Sequence, residues 1–200
     1  MDELTQSNCQ KLVSCTRWAD FLTEDDCSIF EPYLQSKQVK AGDLLLKQGQ
    51  TCREIGMVVK GAFRTYYLAD DKEVNTNFVF ENEFVVDYDS FLNEKPSRYF
   101  IEALEDGEVV TFDYKALAHA YAVSRNWERF GRLVAERSYS ITAQRVESFL
   151  FNTATERYLQ LMEQQPQVLS RVPLYHIASY LGIERESLSR LRKQLAGQRM

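Results

Sequence analysis

Proline, glycine and histidine are scarce in this chain: four, eight and two in 200 residues. So few Pro and Gly exclude collagen-like, mucin-like and linker-like sequences. Twelve Phe, eleven Tyr and two Trp supply core material, which excludes a disordered chain. No stretch approaches the roughly 18 uninterrupted apolar residues of a membrane span. The opening MDELTQSNCQKLVSC has neither a basic leader nor an apolar run, so a cytoplasmic protein with no membrane partner is expected. The four cysteines, Cys9, Cys15, Cys27 and Cys52, form no CxxC pair. Their wide gaps disfavour zinc and iron–sulfur sites and leave them as small hydrophobes in a reduced chain. His119 and His176 stand beside no Ser or Cys nucleophile and in no zinc-ligand pattern, and His176 is expected to face phosphate or solvent. GxGxxG and GxxxxGK[ST] are absent. The carboxylate pairs Asp25-Asp26 and Asp70-Asp71 fall in cap or turn contexts, where solvated charge is the default. No enzyme, catalytic set or metal site is expected.

What is present is an uneven charge. The formal net charge is −5, yet residues 171–200 hold six Arg and Lys against Glu184 and Glu186, a balance of +4. The first 170 residues therefore carry −9. A polyanion would be repelled by the bulk of the chain and attracted to its end, the footprint of a separate binding module.

The hydrophobic pattern changes twice along the chain. Between Thr16 and Leu34, Trp18, Phe21, Leu22, Ile29 and Phe30 recur at helical steps, with Thr23 as an N-cap ahead of acidic first-turn residues. From Val39 to Tyr114 short apolar runs alternate with turn residues such as Ala41-Gly42-Asp43, Lys60-Gly61 and Glu105-Asp106-Gly107. That spacing fits antiparallel strands in a jelly roll. Helical periodicity then takes over, with no Gly or Pro between Arg132 and Gln165. Trp127, Phe130, Val134 and Ile141 mark an apolar stripe. A second copy of the helix would bury that stripe in a homodimer; a helix folded back on its own barrel is the alternative. Thr153 to Gln165 forms another helix stopped by Pro166, and Pro173 opens a short one that Gly182 ends.

Leu174 to Leu195 reads LYHIASYLGIERESLSRLRKQL. Ala178, Gly182 and Leu188 fall four and then six residues apart, with Ile177, Leu181, Ile183 and Leu191 at the other inward positions. A helix-turn-helix needs a small residue at the helix crossing, a glycine for a left-handed turn and apolar residues behind the second helix. Leu188, Leu191 and Leu195 share one side of that helix. Glu186, Ser189, Arg190 and Lys193 lie opposite, with Arg185 and Ser187 on the flanks. These six polar residues are the candidate DNA contacts: Arg suits guanine, Glu accepts from cytosine, and Lys and Ser suit phosphate. The competing reading is an amphipathic hairpin whose charged side merely faces water.

On these residues the chain resembles the Crp/Fnr superfamily of bacterial transcription regulators, over essentially its whole length. Arg185-Glu186-Ser187-Leu188-Ser189-Arg190 reproduces the R-E-x-x-x-R of the family's recognition helix, which implies base reading by Arg185, Glu186 and Arg190. Lys40 to Gly49 resembles the opening of a cyclic-nucleotide-binding barrel, and Val58-Val59-Lys60-Gly61 its next glycine-marked turn. Nucleotide-binding members carry F-G-E-L and then an R-[ST] pair. Here the cassette glycines are missing, Asp87 stands for the Glu, and Ser97, not Arg98, falls at the phosphate Arg. The effector pocket implied by the resemblance comprises Phe84, Asp87, Tyr88, Ser97 and Arg98. The departures argue against cAMP or cGMP, leaving another small effector or none. Only ten residues follow Arg190, so a truncated or absent wing is expected, with phosphate contacts left to the dimer and the basic tail at Arg199.

The expected fold class is α+β. An N-terminal antiparallel β jelly-roll barrel with preceding helices (1–116) leads through a long dimerisation helix (117–150) to an all-α helix-turn-helix domain (151–200). The implied partners are palindromic DNA, a second copy and RNA polymerase. The alternative function is an effector sensor that has lost operator binding and signals through a protein partner.

Overall fold

The computed structural model describes residues 7–14 and 19–197; Cys15, Trp18 and Arg199, which figure in the sequence patterns above, lie outside them. The chain divides into two compact units. One holds the described residues up to Arg64 together with Val79–Glu136, the other Thr65–Phe78 together with those from Arg137 onward.

The strands are β1 (Gln35–Val39), β2 (Leu44–Leu46), β3 (Glu54–Lys60), β4 (Phe63–Ala69), β5 (Lys72–Val79), β6 (Phe84–Val85), β7 (Phe100–Ala103) and β8 (Gly107–Asp113). They fall into two four-stranded sheets, so the expected jelly-roll barrel is not closed. In the first unit one sheet runs β1-β8-β3-β6, with β1 and β6 as its edges. Its register pairs Ile55 with Phe112 and Met57 with Val110. β2 and β7 are antiparallel neighbours in the other sheet. At the turn after β3 the expected glycine punctuation has a steric cause. A Cβ on Gly107 would lie 2.2 Å from the Lys60 carbonyl oxygen, and Gly61 sits at φ +105°.

Helices cover the Ile55 and Phe112 face of this sheet. They are α1 (Asn8–Ser14), α2 (Glu24–Phe30), a 3-10 turn (Glu31–Tyr33), α4 (Tyr114–Val123) and the start of α5 (Arg125–Phe151), while α3 (Tyr88–Asn93) follows β6. Phe30 lies 5.1 Å from Phe112 and 4.6 Å from Trp127, whose ring in turn is 5.4 Å from Phe130. Cys9 and Cys52 are buried free thiols and Cys27 a half-buried one. Burial pushes all three thiol pKa values up, as expected for structural cysteines.

Two sequence expectations change here. The single helix over 117–150 is broken at Ser124, and Trp127 and Phe130 are 2% and 6% exposed within their own unit's core. The first half of the stripe thus packs at home, not against a partner. The break comes from Asp26, which is buried and not solvated. Its carboxylate closes the Thr23 capping box of α2. It also accepts from Ser124 Oγ at 2.5 Å and Asn126 Nδ2 at 2.8 Å, while its carbonyl accepts from Trp127 Nε1 at 2.8 Å. Ser124 Oγ accepts in turn from Trp127 N, starting a new helix where the previous one ends. Burial acts to raise the Asp26 pKa, but the hydrogen bonds from Ser124, Asn126 and Thr23 prevail and hold it below its ordinary value.

The second unit contains the β4–β5 hairpin from Thr65 to Phe78, the rest of α5, and α6 (Ala154–Gln164), α7 (Val168–Arg171), α8 (Leu174–Leu181) and α9 (Arg185–Gly197). Thr153 and Glu156 form a reciprocal capping box that opens α6, and the helix ends ahead of Pro166.

Asp26 sets an acid-stability test. Because its folded pKa is depressed, its contribution is complete above the unfolded carboxyl value of about 4 and is lost as pH falls through the folded one. In urea titrations at pH 6, Asp26→Ala should be less stable than wild type by roughly 2–3 kcal/mol. The gap should narrow as pH drops below about 4; a gap that widens in acid would contradict this assignment.

Candidate nucleic-acid interface

α8 and α9 are joined through Gly182, which adopts φ +68°, ψ +34°. Ile183 N donates to Ala178 O at 3.0 Å and Gly182 N to Ser179 O at 3.1 Å, a Schellman closure of α8. Besides its left-handed backbone, this position lacks room: a Cβ would stand 3.0 Å from Phe149 Cε1.

Beyond the turn, α9 separates its two sides. Leu188 is 1% exposed, and Leu191 and Leu195 are half-buried. Arg185, Glu186, Ser189, Arg190 and Lys193 are exposed, and Ser187 is half-buried on the flank. Among the described residues no carboxylate forms an ion pair with Arg185, Arg190 or Lys193. Their charge is therefore uncompensated and faces solvent.

What holds the turn was not evident from the sequence. Arg157 donates from Nε and Nη2 to Leu181 O at 3.1 and 2.9 Å, and from Nη1 to Asn152 O at 2.7 Å. Arg145 donates to Tyr180 O at 3.1 Å and lies 3.7 Å from the centroid of the Tyr180 ring. Both guanidinium groups also stand over Phe149, at 5.0 Å for Arg145 and 4.8 Å for Arg157. Burial lowers the Arg145 pKa, and the nearby Arg157 charge lowers it further. The β4–β5 hairpin meets α8 as well. Asn75 N donates to Ser179 Oγ at 3.0 Å, Ser179 Oγ donates to Glu73 O at 2.7 Å, and Asn75 Nδ2 lies 3.3 Å from His176 Nδ1. His176 is 4% exposed, which corrects the expectation that it faces phosphate or solvent. Only the four-residue step from Arg145 to Phe149 along α5 could have signalled this cluster.

Of the five candidate effector residues, Asp87 and Ser97 meet directly. Asp87 N-caps α3 by accepting from Ser90 N at 3.3 Å and also accepts from Ser97 Oγ at 2.6 Å. Phe84 turns to Phe130 at 6.2 Å, Tyr88 stacks on Phe91 at 6.4 Å, and Arg98 is exposed. A cavity of about 670 Å³ in the first unit is lined by Lys37, Leu44, Leu46, Glu54, Gly56, Val85, Ile101, Thr111 and neighbouring residues.

Residues 36–123 match the family model described as cyclic nucleotide-binding domain. Among solved structures, FixK2 from Bradyrhizobium japonicum is 18% identical and superimposes with a TM-score of 0.71 over 82% of this chain and 85% of that one. A chain from Eubacterium rectale assigned to the crp/fnr family of transcriptional regulators is 16% identical, with a TM-score of 0.69 over 92% and 88%. The c-di-GMP-responsive global regulator CLP of Xanthomonas campestris is 17% identical, with a TM-score of 0.69 over 88% and 93%. The fold is Crp/Fnr-like. No curated protein matches the chain in sequence. Among the described residues no helix is long and apolar enough to cross a membrane.

Asp87 and Ser97, two of the positions where the sequence departs from the nucleotide-binding pattern, are hydrogen-bonded to each other. The hydroxyl that would donate to phosphate already donates to Asp87, and an incoming anion would meet that carboxylate. Millimolar cAMP or cGMP should therefore leave the thermal midpoint unchanged. A bound ligand at a hundred times its dissociation constant would stabilise the chain by about 2.7 kcal/mol, and an upward shift of that order would contradict the expectation.

Proposed function

We propose that this chain is a transcription regulator that binds DNA as a homodimer, with α9 as the helix that reads the major groove. The observation that carries the reading is the two-sidedness of α9: leucines turned inward, unpaired Arg185, Arg190 and Lys193 turned outward, at the basic end of an acidic chain. Arg185 and Arg190 suit guanine edges, Glu186 suits the cytosine amine, and Ser187, Ser189 and Lys193 suit phosphates. The likeness in fold to a chain assigned to the crp/fnr family of regulators supports the same conclusion.

Dimer formation is supported by the far part of α5. Tyr139, Val146 and Leu150 recur at seven and four residues along one side, and are 78%, 54% and 70% exposed. A helix does not ordinarily leave such a stripe in water, and a second copy of α5 would cover it. Two α9 helices about one DNA turn apart would then face a palindromic site. The Asp87–Ser97 pair favours a β-sheet domain that serves as scaffold, or one that takes an uncharged effector, over a cyclic-nucleotide sensor.

Gel-shift titration over a range of salt tests the reading. Wild type should lose affinity for duplex DNA steeply as salt rises. Arg190→Ala should cost about 1–3 kcal/mol on a preferred site and little on random duplex. Equal loss on every duplex would make Arg190 a phosphate contact. No binding at any salt would reject the regulator in favour of a sensor that signals through a protein partner.

A further inference from the structure

Arg145 stands where three elements of the second unit meet. From α5, its Nη2 donates to Tyr180 O at the end of α8 (3.1 Å) and, over a longer 3.4 Å, to Asn75 O in β5. The guanidinium lies over the rings of Tyr180 and Phe149. Its partners among the described residues are carbonyl oxygens and ring faces, with no carboxylate. A half-buried cation without a counter-ion among the described residues is unfavourable, and an apolar side chain of similar length would fill the space without that cost. What an apolar side chain lacks is a donor, here Nη2, that bonds two backbone carbonyls at once while its planar group stacks on a ring. The carbonyl it holds lies two residues before Gly182, and Arg157 holds the next, Leu181 O. The direction in which α9 leaves the turn follows from these two anchored carbonyls.

We propose that Arg145 is a positioning residue for DNA reading: it ties the α8–α9 turn to α5 and to Asn75 of the β4–β5 hairpin, and itself touches no DNA. The consequence rests on the DNA-binding reading above; the geometry does not. A shift of α5, the helix through which two copies would pair, or of the hairpin strand would be carried through this one side chain to α9.

Two variants of the full chain separate positioning from simple packing. Arg145→Met keeps the apolar stem and removes the donors, and Arg145→Lys keeps the charge and a donor but not the planar group that stacks on Tyr180. In Arg145→Met, hydrogen exchange at the Gly182 and Ile183 amides should quicken by about tenfold or more. Affinity for duplex DNA should fall about tenfold while the slope of log affinity against log salt stays at the wild-type value, because no phosphate contact is lost. Arg145→Lys should recover only part of each effect. Wild-type exchange at both amides in Arg145→Met would overturn the proposal. So would a salt slope smaller by about one, which would make Arg145 a direct phosphate contact. If Arg145→Met fails to fold, Tyr180→Leu, which removes the ring under the guanidinium, takes its place: faster exchange at the two amides supports the proposal and wild-type exchange overturns it. If wild type binds no duplex, the regulator reading fails, and the exchange rates still decide whether Arg145 anchors the turn.

Discussion

Two guanidinium groups bonded to backbone carbonyls, not to carboxylates, fix the turn on which the proposed DNA-reading surface depends. Arg145 and Arg157 grip consecutive residues, Tyr180 and Leu181, and both stand over Phe149, while Gly182 supplies the left-handed backbone and the missing Cβ that lets Phe149 approach. Once that turn is set, Leu188 docks inward and the Arg and Lys side chains of α9 have no choice but to face water or a polyanion. The positive end of this acidic chain is thus a consequence of geometry as much as of composition.

The first unit uses the same device with opposite charge. Asp26 is a buried carboxylate satisfied by hydroxyl, amide and backbone donors, with no salt bridge among the described residues, and through Ser124 and Trp127 it decides where α5 begins. Asp87 is likewise answered by Ser97 and Ser90. In both cases hydroxyl, amide or backbone donors, not cations, answer the carboxylate.

Features set by neighbours in sequence were legible beforehand. The strand region announced itself through turn residues such as Gly61 and Gly107, α6 through Thr153 and Pro166, and the two faces of α9 through leucines at positions 188, 191 and 195. Features set by distant partners were not. The break at Ser124 depends on Asp26, 98 residues earlier, and the burial of His176 on Asn75, 101 residues earlier. Periodicity placed Trp127 and Phe130 on an apolar stripe but could not say that Phe30 and Phe112 would cover them. Charge patterning does not separate Arg145 and Arg157 from ordinary helix-surface cations, and the Arg145–Phe149 step alone does not say that a guanidinium will spend its donors on carbonyls.

Selection of bound sequences from a pool of random duplex DNA tests the central claim most directly. The account requires enrichment of an inverted repeat whose half-site centres lie about 10 base pairs, or a multiple of that, apart. Recovery of unenriched sequence, or of a single half-site with no symmetry mate, would contradict it.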